Sequence, residues 1–325
     1  MWHNHFATSA AKVKYAQYMG PQNQKLRSLK LGDFRALAYA MLTDPAMLTW
    51  LDGKDNVASS PNENLAREFM ELFALGHGNG YTERDVKEGA RALTGWTVNP
   101  DGVTFVAVSL HDLKDKSVLG VSGNLDTAAF CDAVLNHPNS AAYVASRLWQ
   151  QLASDTPPKP ETLQRLVNAY GPGRDLKALT RAVLTDPEFA TGAAVNGPVE
   201  WLVGVVRTLG ASIESDQMAY AVDALLTGLG QRPLYPPDVS GWPRGRAWVS
   251  TASIATQTWA ANQLAKKGDL SAIESTGAGD RIDAVGHLIG VGAWSDRTAE
   301  VLKPFVSDPP LLFTAAVNSP EYLTS

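Results

Sequence analysis

One stretch narrows what this chain can become more than any other: Ser60-Pro61-Asn62-Glu63-Asn64-Leu65-Ala66-Arg67-Glu68-Phe69-Met70-Glu71-Leu72-Phe73-Ala74-Leu75-Gly76. Both ends of a helix are written into it, with Ser60 suited to the N-cap, Pro61 to the first helical position and Gly76 to a left-handed stop. At about 100° per residue, Leu65, Ala66, Phe69, Met70, Leu72, Phe73 and Ala74 spread over half the circumference or more. Asn64, Arg67, Glu68 and Glu71 collect in one narrow stripe. A helix this apolar is expected to be buried. Its stripe then faces a cavity, a ligand or paired partners, because an unpaired buried carboxylate costs several kcal/mol. The same residues also have a plain structural reading. Ser60-x-x-Glu63 fits a capping box, and Arg67 with Glu71 fits a helix-surface ion pair of about 0.2–0.5 kcal/mol. A structural network and a functional cleft both stand at this level.

The rest of the chain reads as helices that could surround that segment. Residues 1–50 give helices from Met1 to about Tyr18, from Gln22 to Leu29 after a break at Gly20-Pro21, and from Phe34 to Leu42, with Asp44 capping a short helix opened by Pro45. Gly76-His77-Gly78-Asn79-Gly80 is a glycine-rich turn, after which Thr82 caps a helix from Glu83 to about Leu93. Trp96-Thr97-Val98, a turn at Asn99-Pro100-Asp101-Gly102, and Val103 to Val108 form the one convincing hairpin signal. Gly120 to Asn124 reads as a return to a helix capped near Asp126, and further helices follow at about 127–135, 139–152, 160–169, 175–184, 199–209, 216–228, 250–266, 280–291 and 310–317. The expected class is mainly α, a multi-helix orthogonal array or bundle with one small β-hairpin insertion near residues 96–109. Residues 1–325 read as a single helical domain, with a core at about 1–152 and a continuing helical half at about 153–325. Leu42-Thr43-Asp44-Pro45, Leu135-Asn136-His137-Pro138, Leu184-Thr185-Asp186-Pro187 and Val317-Asn318-Ser319-Pro320 repeat one way of joining helices, in which a cap residue precedes a proline. Residues 229–249 form the longest irregular stretch, and Tyr235, Trp242 and Trp248 predict an ordered aromatic loop, with Arg232, Arg244 and Arg246 as anion contacts.

Charge and composition exclude several classes. Of 325 residues, 45% are hydrophobic and 19% charged, so the chain can bury a large core. A formal net charge of −5 with no basic run argues against nucleic-acid or anionic-membrane surfaces. The single Cys131 excludes an internal disulfide framework and a cysteine-built metal centre. No apolar run reaches the roughly 18–20 residues of a membrane span, and no export signal is legible. The abrupt start at Met1-Trp2-His3-Asn4-His5-Phe6 looks like the interior of an element, which predicts further residues upstream and an apolar patch where they would pack.

Several motifs occur in order: Trp2-His3-Asn4-His5-Phe6, Asp44-Pro45-Ala46-Met47-Leu48, Pro61-Asn62-Glu63-Asn64 with Ala66-Arg67-Glu68 and Glu71-Leu72-Phe73, Arg91-Ala92-Leu93-Thr94-Gly95-Trp96, and Pro236-Pro237-Asp238-Val239-Ser240-Gly241-Trp242-Pro243. On these motifs the chain resembles the bacterial family known as domain of unknown function 1800. The resemblance spans Trp2 to about Trp248 and thins beyond. It implies no settled activity and no transferable catalytic residue. It does imply an exported pair with a sulfatase-like protein in the cell envelope, and a non-catalytic binding or scaffold protein beside such a hydrolase is one reading of this chain.

The residues themselves offer two chemistries beside that scaffold reading. Glu68 and Glu71, one helical turn apart with Arg67 between them, suit a glycan-active hydrolase or transferase built on paired carboxylates, and nine tryptophans could stack sugar rings. His3 and His5, with glutamates nearby, suit a metal-dependent enzyme if their segment is irregular, since on a helix the two rings diverge. Asn64, His111, Trp242 and Arg244 are the expected ligand contacts around the stripe, with Trp2–His5 and at least one loop converging on it. No cofactor fingerprint is present: Gly76-x-Gly78-x-Gly80 lacks both the preceding strand and the spacing of a dinucleotide loop.

Overall fold

The computed structural model describes residues 1–324. The fold is mainly α, with nineteen α-helices and two small antiparallel hairpins among the described residues. The chain forms two compact units: Met1–Thr191 with Leu234–Trp242, and Gly192–Pro233 with Pro243–Ser325. The first is built on a core that includes Phe6, Phe34, Phe69, Phe73, Phe130 and Trp149. The second has its own core around Trp201, Val205, Ile273, Val285, Leu312 and Phe313.

Helix starts follow local side-chain chemistry. Asp44 accepts from the amides of Ala46 and Met47 ahead of Pro45, Thr82 and Asp85 form a reciprocal capping box, and Asp126 accepts from Ala129. Of the four cap-proline junctions, those at Pro45, Pro138 and Pro320 open helices, whereas Asp186-Pro187 leads into a single turn at Phe189–Thr191. Residues 1–18 are not one helix: they divide into Trp2–His5, Ala10–Val13 and the start of Ala16–Leu29. That last helix runs through Gly20-Pro21, where a break is expected from sequence. Its buried Tyr18, Met19, Gln22 and Leu26 on both sides of Pro21 hold it against the unit, so packing overrides the missing amide.

The hairpin expected near 96–109 pairs Trp96–Val98 with Thr104–Val106. A second hairpin, Lys116–Val118 with Val121–Gly123, occupies the approach to the expected helix capped by Asp126, which begins at Thr127. Its turn residues Leu119 and Gly120 both have positive φ, 50° and 83°. Tight hairpin turns of this kind are signalled in sequence by Asn, Asp or Gly at the first position, and Leu119 carries no such signal. Exposed apolar side chains of the first unit include Val103, Phe105, Val108 and Leu113 after the first strand, and Met1, Tyr15, Leu31 and Leu184 elsewhere, while Trp2 of the opening helix is buried.

The loop at 229–249 is ordered. Its segment Leu234–Trp242 belongs to the first unit: Leu234 O accepts from Ala10 N at 2.9 Å, Val239 packs on the main core, and Trp242 N donates to Asn4 Oδ1 at 2.7 Å. Gly241 has φ 95°, and a Cβ there would lie 2.2 Å from Asn4 Oδ1, so the turn requires glycine.

Candidate functional site

The 60–76 segment is helical over a shorter and less regular span than its sequence suggests. The α-helix begins at Asn64, because Asn62 Oδ1 accepts the Asn64 amide at 3.0 Å and is itself positioned by Asn56, whose side chain holds the Asn62 amide and the Ala90 carbonyl. Ser60 is exposed and caps nothing, and Glu63 pairs with Arg67 at 2.8 Å instead of closing a capping box. The α-helix ends at Glu68, and Phe69–Ala74 continues as a π-helix. Gly76 then takes φ 96° and supplies the expected stop.

The wide turn is held from outside. Met70 O accepts from the amides of Leu75 and Gly76 at 2.9 and 3.2 Å. Tyr143 Oη donates to Leu72 O at 2.6 Å, His5 Nε2 bonds Phe73 O at 2.8 Å, and Asn79 Nδ2 donates to Leu75 O at 2.7 Å. Three side chains from three other places thus satisfy the carbonyls at the end of the segment, each of which would cost about 1–3 kcal/mol if buried unpaired. Short π segments occur frequently at functional sites.

The polar stripe lies on this irregular helix, with Arg67, Glu68 and Glu71 half-buried and Asn64 exposed. Arg67 makes two bonds of 2.7 Å to the Glu83 carboxylate and one of 2.8 Å to Glu63. Its guanidinium is accordingly held charged, chiefly by the Glu83 contact. Glu71 Oε1 lies 2.5 Å from His77 Nδ1, and its Oε2 is 3.4 Å from Tyr81 Oη. Burial pushes the Tyr81 phenol up. The Glu68 carboxylate has no hydrogen-bond or ion-pair partner, and it is pushed above the usual carboxylate range first by burial and then by the charge of Glu71, against a smaller opposing pull from Arg67. The arrangement is an acid inclined to keep its proton beside a carboxylate that accepts from a histidine and a tyrosine.

Residues 1–324 match the family described as Protein of unknown function (DUF1800). The chain belongs to that family. The likeness read in the motifs up to about Trp248 therefore extends through the second unit of this DUF1800 chain. No curated protein and no solved structure shows significant similarity to it.

Other residues singled out in the sequence have their own settings. Asn4 and His3 meet Trp242, the first through its amide bond and the second through an edge-to-face ring contact at 5.4 Å between centroids. Since His5 reaches Phe73 in the π segment, Trp2–His5 does link the aromatic loop to the helix, as packed structure and not as an open wall. His3 and His5 each place Nε2 on a backbone carbonyl, at Thr8 and Phe73, and burial lowers the His3 pKa. Among the described residues no three His, Cys, Asp or Glu side chains are placed to hold one metal ion. Asn64 donates to Asp52 at 3.1 Å. His111 rests on Thr94, and Arg244 belongs to the second unit.

A polar cluster that sequence reasoning missed lies between Glu83–Ala92 and the second hairpin. Arg91 bonds Asp112 at 2.7 Å and Glu88 at 2.9 Å, and the guanidinium holds Asp112 below the usual carboxylate range. Glu88 and Asp85 accept the amides of Ser117 and Leu119, while Lys116, only 2% exposed, donates to Asn124. Burial lowers the Lys116 pKa. The available signal was the run Asp112 to Lys116, whose four charges, Asp112, Lys114, Asp115 and Lys116, lie downstream of Arg91. Cavities of about 390 Å³, beside Trp2, Leu26 and Leu148, and of about 550 Å³, beside His137, Tyr170 and Arg174, also lie in the first unit; neither is lined by Glu68 or Glu71.

Proposed function

We propose that the protein is a carboxylate-dependent hydrolase or transferase in which Glu68 is the acid. One observation carries this reading: Glu68 is half-buried, has no partner, and stands next to a second carboxylate that is fully engaged. A carboxyl group whose hold on its proton is raised by burial and a neighbouring carboxylate is suited to donate to a leaving group, and a purely structural glutamate in a network would be paired as Arg67, Glu63 and Glu83 are. For the glycan form of the reading, Trp2, Trp149, Trp201, Trp242 and Trp248 are buried, whereas Trp259 is exposed and Trp50, Trp96 and Trp294 are partly so. The envelope scaffold with a sulfatase-like partner rests on family resemblance and on no contact in this chain. No described helix is long and apolar enough to cross a membrane.

The test is turnover of a panel of para-nitrophenyl esters, phosphates and glycosides by the full chain and by Glu68→Gln. Turnover by the parent, reduced about 100-fold or more in the variant with an unchanged fold, is expected. A parent inert to the whole panel, or a fully active variant, overturns the assignment.

A further inference from the structure

A site whose acid is Glu68 also needs a group that takes a proton. Glu71 is the obvious candidate from sequence, yet both of its oxygens already accept, Oε1 from His77 at 2.5 Å and Oε2 from Tyr81 at 3.4 Å. A carboxylate that receives Nδ1–H orients an imidazole and leaves Nε2 as the basic nitrogen. The His77 side chain is 83% exposed, and its one bond is through Nδ1, so Nε2 faces water.

The turn that carries His77 is fixed in place. Gly76, Gly78 and Gly80 all have positive φ, 96°, 64° and 95°. Asn79 between them ties the turn to Leu75 O, and Asn139 ties Asn79 to the Pro138–Leu152 helix through bonds of 3.1 and 2.9 Å to its carbonyl and side-chain oxygens. Burial of the Tyr81 hydroxyl keeps it protonated, as a donor to Glu71. The ring is therefore exposed and aimed at once, which a loose surface histidine is not.

We propose that His77 is the general base of this site, oriented by Glu71, with Tyr81 as a positioning residue on the second Glu71 oxygen; the inference rests on the reading of Glu68 as the acid. The nucleophile is water. Its oxygen bonds to the electrophilic centre of an ester, phosphoester or glycoside as its proton passes to His77 Nε2. The bond to the leaving group breaks with its electron pair, and that group takes the proton of Glu68. The imidazolium formed beside Glu71 then returns one proton, through solvent, to Glu68, so that one water is consumed per bond cleaved.

Two measurements on the full chain test this. Long-range proton–nitrogen NMR correlations at mildly alkaline pH should show His77 as the Nδ1–H tautomer, and Glu71→Leu should shift it to the ordinary Nε2–H form; Nε2–H in the parent overturns the proposal. With a para-nitrophenyl substrate that the parent turns over, His77→Gln should lower kcat about 100-fold or more and leave KM and Tm close to the parent. If Glu68→Gln is inactive while His77→Gln retains its rate, His77 is not the base and the Glu68 reading survives. A parent that turns over nothing ends both.

Discussion

Glu68 and Asp44 show how differently this chain treats two carboxylates. Asp44 is buried and satisfied: it caps Pro45–Trp50 and accepts from Gln22 at 2.9 Å and Lys25 at 2.7 Å. Asp44→Ala removes the cap and leaves both donors without their acceptor. It should destabilise the protein by at least the ~1–2 kcal/mol of a lost N-cap, read as a lower midpoint in urea at unchanged slope. Glu68 is the opposite case. Its folded-state pKa lies above the unfolded value, so between the two the native state binds more protons and stability falls as pH rises through that window. Glu68→Gln mimics the protonated form and should melt higher than the parent at neutral pH, with the gain vanishing below the ordinary glutamate pKa of about 4.3. Melting curves for both proteins across that range check the sign; equal melting at neutral pH would show that the carboxylate carries no penalty.

At the scale of the element, the π segment Phe69–Ala74 marks where local propensity yields to its surroundings. Leu, Phe, Met and Ala here would continue an α-helix by intrinsic preference. Tyr143 and His5 compete for the Leu72 and Phe73 carbonyls, and the widened turn is the result. Tyr143→Phe should cost about 0.5–1.5 kcal/mol and speed hydrogen exchange at Leu75 and Gly76 more than in distant helices. Gly76→Ala should cost more. It places a side chain at φ 96° and brings a Cβ within 2.9 Å of the Tyr143 ring, so strain of about 1–2 kcal/mol adds to the clash.

At the scale of the whole molecule, two separate cores give two sources of cooperativity. Phe34 is wholly buried in one and Phe313 in the other. Replacing either with Ala should cost about 3–5 kcal/mol within its own unit. Scanning calorimetry should then show Phe34→Ala lowering one transition and Phe313→Ala the other, with a calorimetric enthalpy above the van't Hoff value in the parent. A single transition that both substitutions shift equally would mean that the cores unfold together. The Leu234–Trp242 segment gives the first unit a dependence on distant sequence, and Asn4→Ala should loosen that loop as seen by faster proteolysis near Ser240.

The sequence by itself determined whatever rests on interactions a few residues long. The caps at Asp44, Thr82 and Asp126, the stop at Gly76, the hairpin at Trp96–Val106 and most of the later helices were legible because side chain, backbone and period act locally. The acidic stripe was legible as a cluster, since helical spacing alone gathers Arg67, Glu68 and Glu71. Tertiary structure decided the remainder. The π turn exists because Tyr143 and His5 arrive from elsewhere, Pro21 is carried through its helix by packing on either side, and the Leu119-Gly120 hairpin is secured by Asp85 and Glu88 from a neighbouring helix. The partners of the stripe also came from outside it: Glu83 takes Arg67, His77 and Tyr81 take Glu71, and Glu68 is left alone. Which carboxylate is paired and which is pushed above the usual carboxylate range depends on burial and on groups across space, and no periodicity in the chain encodes either.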